Sequence, residues 1–283
     1  MTVWPMSGAG NTFAVIDNRE SSVARSEFQQ LVPALCHRAS ISLREAEGVL
    51  VLQHMSGHSF VGDFFNPDGS YGAMCGNGGR CIVRFALARG CAPNDDGSLD
   101  FSLNDESYHA RIVDADHVAI RFQRPRAIQE YAPGSLQGVS VPLMYVNVNS
   151  DHAVVHASDL HIAPESFRSF DLAAIALPIR HHDAFERGVN VNVYLIDANG
   201  VLQLRTFERG VEAETGACGT GALSTAVTAA MRGECKNSVR VQPPSGRMLQ
   251  VTLLDRNDGL ILEGDALFDA PPTEFNIETR TYL

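Results

Sequence analysis

The sequence predicts an α+β fold of two pseudo-symmetric lobes, each a mainly antiparallel β unit wrapped around one central helix. Three observations predict it: an internal repeat, strand-like alternation on both sides of each copy, and the length of the chain. Two segments are alike, MCGNGGRCIVRFALARG at 74–90 and ACGTGALSTAVTAAMRG at 217–233. Each runs Cys-Gly-x-Gly into a helix-compatible stretch ending on Arg-Gly, and the Arg follows the Cys by 14 residues in both. The copies lie 143 residues apart, about half of a 283-residue chain, which marks a duplicated unit. At roughly 100–200 residues per domain, such a chain can hold two lobes that each bury a core.

The elements follow in chain order. NTFAVI (11–16) opens the first half and aligns with SDHAVV (150–155) in the second. GVLVLQ (48–53) and SFVGDFF (59–65) alternate around a Ser-Gly turn and read as a hairpin. The Cys-Gly-x-Gly head that follows cannot begin inside a regular helix, where Gly is unfavourable by about 1 kcal/mol relative to Ala, but it suits a tight turn opening into one. Gly90 and Gly233 then sit where the residue after a helix end is expected. LDFSL, YHARIV and HVAIRF continue the first half as short strands. In the second half, VNVYLI (191–196) and VLQLRTF (201–207) flank Asp197–Gly200, a hairpin signal, and VRVQP, MLQVTLL and GLILEG follow the helix. The lobes are placed at 1–134 and 135–265, with 266–283 packing back on the first. Facing each other across a pseudo-twofold axis, they would bring both helix N-termini to one shared cleft. The order of elements is not that of a βαβ nucleotide fold.

Composition narrows the chemistry. With 22 basic and 33 acidic side chains the net charge is −11, the wrong sign for tracking phosphates or an anionic membrane, so neither nucleic acid nor membrane is an expected partner. No apolar run reaches the 18 or so residues that span a bilayer, and the start MTVWPMSGAGNTF lacks a basic and an apolar leader region; a cytoplasmic protein is expected. Arginines number 21 against a single lysine, Lys236, which lies in the polar stretch ECKNS and is a poor Schiff-base site for pyridoxal phosphate. Neither GxxxxGK[ST] nor GxGxxG is present. The six cysteines read as thiols: no CxxC pair occurs, and the step from Cys75 to Cys81 is not a common zinc spacing. His181-His182-Asp183 reads as a solvated loop, and no metal is assigned.

Cys75 and Cys218 each head a helix. There the macrodipole and the unsatisfied N–H groups favour the thiolate and lower its pKa from the ~8.5 of a free thiol. Two such groups on opposite faces of one carbon, one thiolate and one thiol, can remove a proton from one side and deliver another from the other. The backbone N–H groups of Gly76-Asn77-Gly78 and Gly219-Thr220-Gly221 could hold the carboxylate of an amino acid while charge develops on it. Cys36, Cys81, Cys91 and Cys235 have no symmetric partners and read as core or surface residues.

At these residues the chain resembles the diaminopimelate epimerase family, on SGAGNTF (7–13), FFNPDGSYGAMCGNGGRC (64–81), GVNVN (188–192) and FERGVEAETGACGTGA (207–222). The resemblance spans nearly the whole chain. It implies a cofactor-independent enzyme that converts LL- to meso-diaminopimelate on the route to lysine and peptidoglycan, with Cys75 and Cys218 as the acid/base pair. It implies that Gly76, Asn77, Gly219 and Thr220 bind the reacting carboxylate through their backbone. Asn11, Asn66, Asn190, Glu208 and Arg209 would line the substrate pocket with His152 beside it, and a homodimer is common in the family. Arg209 offers a planar fork for a second carboxylate and Glu208 an acceptor for an ammonium.

Three departures touch the pocket wall. Thr12 stands where the family commonly has Asp, Glu47 takes an Asp place in LREAEG (43–48), and Asn149-Ser150-Asp151-His152 replaces Gly-Asn-Pro-His, so the substrate-binding Asn becomes Ser150 or shifts to Asn149. A hydrogen-bonding site discriminates strongly against a ligand it cannot satisfy. A racemase of another amino acid, as in the O-ureidoserine racemases, is therefore the alternative. Weaker alternatives are a thiol hydrolase or acyltransferase using Cys218 with His152, which leaves the repeat unexplained, and a binding protein that uses the cleft without turnover.

Overall fold

A computed structural model describes residues 1–21, 23–37, 45–71, 75–255 and 258–283. Residues 43–44 of the LREAEG segment and 72–74 ahead of Cys75 lie outside them. The chain divides into two compact units, Met1–Arg121 with Glu263–Leu283, and Phe122–Leu262.

The first unit opens with an antiparallel hairpin of β1 (Thr2–Gly8) and β2 (Asn11–Asp17), closed by a turn in which Ala9 and Gly10 both have positive φ. Helix α1 (Arg25–Cys36) buries Phe28, Leu31, Val32 and Leu35, the i, i+3, i+4, i+7 stripe of an amphipathic helix, in a cluster with Val49, Val51 and Phe65. β3 (Val49–Ser56) runs parallel to β2 and turns back into β4 (Ser59–Phe65). Helix α2 (Gly76–Ala88) is the central element: it packs on β1 to β4, and Ile82, Val83, Phe85 and Ala86 are fully buried. Each large apolar side chain of that face contributes about 1.5–3 kcal/mol by leaving water. β5 (Ser98–Leu103) lies parallel to β4, then β6 (Glu106–Ile112) and β7 (His117–Phe122) continue antiparallel.

The second unit repeats the plan. β8 (Ala127–Tyr131), β9 (Leu143–Asn147) and β10 (Asp151–His156) form an antiparallel run. Helix α3 (Leu172–Arg180) buries Leu172, Ala176 and Ile179 in a cluster with Val191 and Val193. β11 (Asn190–Ile196) is parallel to β10 and pairs antiparallel with β12 (Val201–Glu208) through the Asp197–Gly200 turn; the short β13 (Ala213–Glu214) folds back on β12. Helix α4 (Gly219–Met231) packs on β9 to β12 and on β15 (Leu249–Leu253), which pairs with β14 (Ser238–Gln242). β14 is parallel to β12, as β5 is to β4. β16 (Leu260–Asp265) leads out of the unit, and β17 (Leu267–Phe268), β18 (Thr273–Asn276) and β19 (Thr281–Tyr282) complete the first one, β17 and β18 pairing with β1.

Both predicted central helices form, and the glycine that follows each C-cap arginine, Gly90 after Arg89 and Gly233 after Arg232, has the positive φ that a helix end asks of glycine. Two features add to the sequence expectation. Each unit has a second helix, α1 or α3, each with a proline inside it, Pro33 and Pro178. Each also mixes parallel joins into a mainly antiparallel array, at β2–β3 and β4–β5 and again at β10–β11 and β12–β14.

Candidate active site

Cys75 is the N-cap of α2, with extended backbone, and its Sγ accepts the Gly78 N–H at 3.5 Å. The helix opens with Gly79 N–H bonding the Cys75 carbonyl at 2.7 Å, so Gly76 and Asn77 carry first-turn N–H groups with no carbonyl inside the helix to bond. The start of α2 sits tightly on β1: a Cβ on Gly8 would lie 2.8 Å from the Asn77 carbonyl oxygen. The buried Asn77 carboxamide donates to Asn11 Oδ1 and accepts from Arg80 Nη2 at 2.8 Å. Asn11 in turn donates to Glu47 Oε2 at 2.5 Å. Arg80, fully buried, also donates to the carbonyls of Gly76 and Asp265, both at 3.2 Å. Thus Asn77 is pinned by its side chain and presents its backbone.

Asn66 follows β4 in a tight turn, its Nδ2 donating to Ser70 Oγ at 2.9 Å. Behind that turn the buried Asp63 carboxylate accepts from Tyr71 Oη, Gln53 Nε2 and Arg25 Nη2 at 2.7, 2.7 and 2.8 Å. Of the departures, Thr12 spends its hydroxyl on the Glu45 carbonyl at 2.8 Å and its carbonyl on the Glu47 N–H at 2.7 Å.

Cys218 is the N-cap of α4 in the same way. Its Sγ accepts the Gly221 N–H at 3.4 Å and lies 3.6 Å from the Thr220 hydroxyl. Thr220 Oγ1 is 3.0 Å from His152 Nε2, and His152 Nδ1 is 3.0 Å from Asn192 Nδ2. His152 is wholly buried, which pushes its pKa down to about 3, against the pull of Asp151 and Asn192 and with a push in the same sense from Arg209. The ring is neutral at physiological pH.

A second network adjoins the first. Asn190 donates to Ser150 Oγ at 2.9 Å and to the Asp151 carbonyl at 3.0 Å, and its Oδ1 accepts the Arg209 N–H at 2.9 Å. Arg209 Nη1 reaches Asp151 Oδ2 at 3.2 Å and the carbonyls of Arg187 and Gly188. Burial alone would raise the pKa of Asp151, but Tyr145, Asn147, Arg187 and Arg209 together hold it below the ordinary carboxylate value. Glu208 accepts the Thr215 hydroxyl at 2.8 Å.

The first unit therefore holds Asn11, Asn66, Cys75, Gly76 and Asn77, and the second holds Ser150, His152, Asn190, Glu208, Arg209, Cys218, Gly219 and Thr220. Residues absent from the sequence reading of the site are Arg80, Asn192 and Thr206; the strand period of two puts Asn192 on the same face as Asn190, a signal that was available. The remaining cysteines are disfavoured as thiolates: burial pushes Cys36 up to about 12 and also raises Cys81, Cys91 and Cys235. Among the described residues no group of three or more His, Cys, Asp or Glu could hold a metal ion, and no helix is long and apolar enough to cross a membrane.

The diaminopimelate epimerase family profile matches the chain over residues 3–127 and again over 144–268, one match per half. A relative called diaminopimelate epimerase in Chlorobaculum tepidum is 35% identical over 264 residues, 92% of this chain and 96% of its own length. Another of that name in Hydrogenobaculum sp. is 31% identical over 275 residues, covering 93% of this chain and 95% of its own. Among solved structures, a hydroxyproline epimerase from Agrobacterium vitis with bound trans-4-OH-L-proline aligns with a TM-score of 0.64 at 17% identity, over 95% of this chain and 89% of that one. A PhzC/PhzF-type phenazine biosynthesis protein from Clostridium difficile aligns with a TM-score of 0.69 at 12% identity, over 98% and 99%. These two are likenesses of fold. With both halves matched and relatives aligned along nearly their full length, the chain belongs to the diaminopimelate epimerase family.

Proposed function

We propose that the protein is an isomerase that inverts the Cα of LL-diaminopimelate to give the meso form, without a cofactor, in the cytoplasm. One observation carries the reading: each half of a duplicated chain places a cysteine at a helix N-cap with a backbone N–H on its sulfur, Gly78 to Cys75 and Gly221 to Cys218. A thiolate at one of these positions takes the Cα proton and becomes a thiol. The electron pair left behind spreads onto the substrate carboxylate, which first-turn N–H groups of α2 and α4 stabilise. The thiol at the other position then protonates the opposite face of the carbon and becomes the thiolate. The pair has exchanged protonation states and the carbon has inverted, with no net consumption of protons.

The substrate is the finer part of the reading. Names of the relatives support diaminopimelate, while the buried Asp151 on Arg209 and the Ser150 hydroxyl on Asn190 favour a second reading, racemisation of a different amino acid. Incubation with LL-diaminopimelate and a panel of L-amino acids in D2O, followed by mass and chirality of the products, separates them. Inversion with one deuterium at Cα of diaminopimelate is the expected result. Exchange with another member alone moves the assignment to that amino acid, and no exchange with any member overturns both readings.

A further inference from the structure

We infer that Asn192 is a positioning residue which, through His152, turns the Thr220 hydroxyl onto Cys218 Sγ and favours the thiolate form of Cys218. The inference takes from the epimerase reading what that thiolate does; how it is held rests on the second unit alone.

From Asn192 to Thr220 the direction of each hydrogen follows from chemistry. The Ala153 carbonyl can only accept, so the end of the Asn192 carboxamide 3.2 Å from it is the NH2 group. The other hydrogen of that NH2 goes to His152 Nδ1 at 3.0 Å, while Asn192 Oδ1 accepts the Thr206 hydroxyl at 3.0 Å. Nδ1 is thereby a lone pair. Burial keeps the ring singly protonated, with Asp151 and Arg209 the charged groups acting on it, so its one hydrogen is on Nε2 and points at Thr220 Oγ1, 3.0 Å away. With the Nε2–H on an acceptor site of Thr220, its own hydrogen can turn to an ionised Cys218 Sγ, which can only accept, at 3.6 Å, where the Gly221 N–H also arrives. Two donors on one sulfur favour its negative form. At the corresponding position of the first repeat stands Asn77, whose carboxamide is committed to Asn11 and Arg80. The carboxamide at that position therefore serves Asn11 and Arg80, whereas the hydroxyl of Thr220 serves Cys218.

The test is the pH dependence of alkylation by iodoacetamide at Cys218 and at Cys75, read by peptide mass spectrometry on the whole chain. Thr220→Val is expected to slow Cys218 about tenfold at neutral pH, the equivalent of roughly one unit upward in its titration, and to leave Cys75 unchanged. Thr220→Ser is expected to restore the wild-type profile. Asn192→Ala should move Cys218 in the same direction as Thr220→Val, and the acid limb of kcat/KM should shift upward in both. An unchanged Cys218 profile in Thr220→Val, or equal slowing at both cysteines, overturns the inference; if Asn192→Ala does not fold, the two Thr220 variants decide. A chain that shows the expected alkylation pattern but exchanges no amino acid sinks the proposed function and leaves the relay standing. A chain that epimerises with Thr220→Val titrating as wild type does the reverse.

Discussion

Gly221 lies so close to the Asn192 carboxamide that a Cβ on it would stand 2.6 Å from Asn192 Oδ1 and 3.2 Å from the Cys218 Cβ. Its counterpart in the first repeat, Gly78, has room: a Cβ there would meet Leu50 and Phe13 side-chain atoms at 3.4 Å, ordinary contact. In a helix Gly→Ala normally stabilises by about 1 kcal/mol. The same substitution is therefore expected to have opposite signs in the two repeats. Gly78→Ala should retain or raise the thermal midpoint and keep the helix start intact, whereas Gly221→Ala should lower it and cost at least tenfold in kcat by displacing Asn192 and Cys218. Equal effects on both would remove the steric account.

The six thiols should not react alike. Burial holds Cys36, Cys81, Cys91 and Cys235 above the ordinary thiol pKa, and the two N-cap cysteines carry N–H donors on sulfur. At pH 8, iodoacetamide is expected to modify Cys75 and Cys218 first and to abolish inversion in step with that modification. Loss of inversion with both of these thiols unmodified would refute the assignment.

Acid should destabilise the second unit through His152. The ring titrates near 6.5 in an unfolded chain but near 3 when folded, so between these values the unfolded state binds a proton that the native state does not. Stability is then complete above about pH 6.5 and is lost as pH falls toward 3, by up to about 1.4 kcal/mol per pH unit. Urea midpoints measured at pH 7 and pH 5 should drop further for the wild type than for His152→Gln, which lacks the titrating ring. Equal drops would assign the acid sensitivity elsewhere.

Asp63 anchors the turn that runs from Asn66 to Tyr71. Its carboxylate is 1% exposed and satisfies Tyr71, Gln53 and Arg25 together, with Arg25 stacked over the Tyr71 ring at 4.4 Å. Asp63→Ala takes the acceptor from Tyr71 and Gln53 and leaves Arg25 only the exposed Asp105, and is expected to cost about 3 kcal/mol or more in chemical denaturation. Because Tyr71 precedes Cys75 by four residues, kcat should fall as well. Asp63→Asn, which keeps two acceptor lone pairs, should lose less on both counts.

Legibility in the sequence followed the range of the signal. The central helices, their Cys-Gly heads and Gly ends, and the hairpins before them are local patterns and could be read directly from spacing. Helices α1 and α3 escaped because Pro33 and Pro178 interrupt a pattern that tertiary packing restores. The parallel joins, such as Val49 beside Ala14, bring together strands from distant parts of the chain, and alternation along one strand carries no information about them. At the site, the cysteines stood out because the motif occurs twice. Arg80 and Asn192 did not: a charged residue in an apolar helix and a second Asn in a strand acquire meaning only when Asn77 and His152 are found against them.

Asp265 closes the Cys75 half-site, receiving Arg80 on its carbonyl from 185 positions earlier in the chain and the Ala9 N–H on its carboxylate. A ribosome delivers every residue of the second unit before it delivers Asp265. During synthesis Cys218 can thus gather Thr220, His152 and Asn192 while its sibling, translated far earlier, still waits for the brace behind Arg80. A nascent chain stalled in that interval would hold one N-cap cysteine in its finished network and the other without it, and inversion would begin only once the late strands arrive.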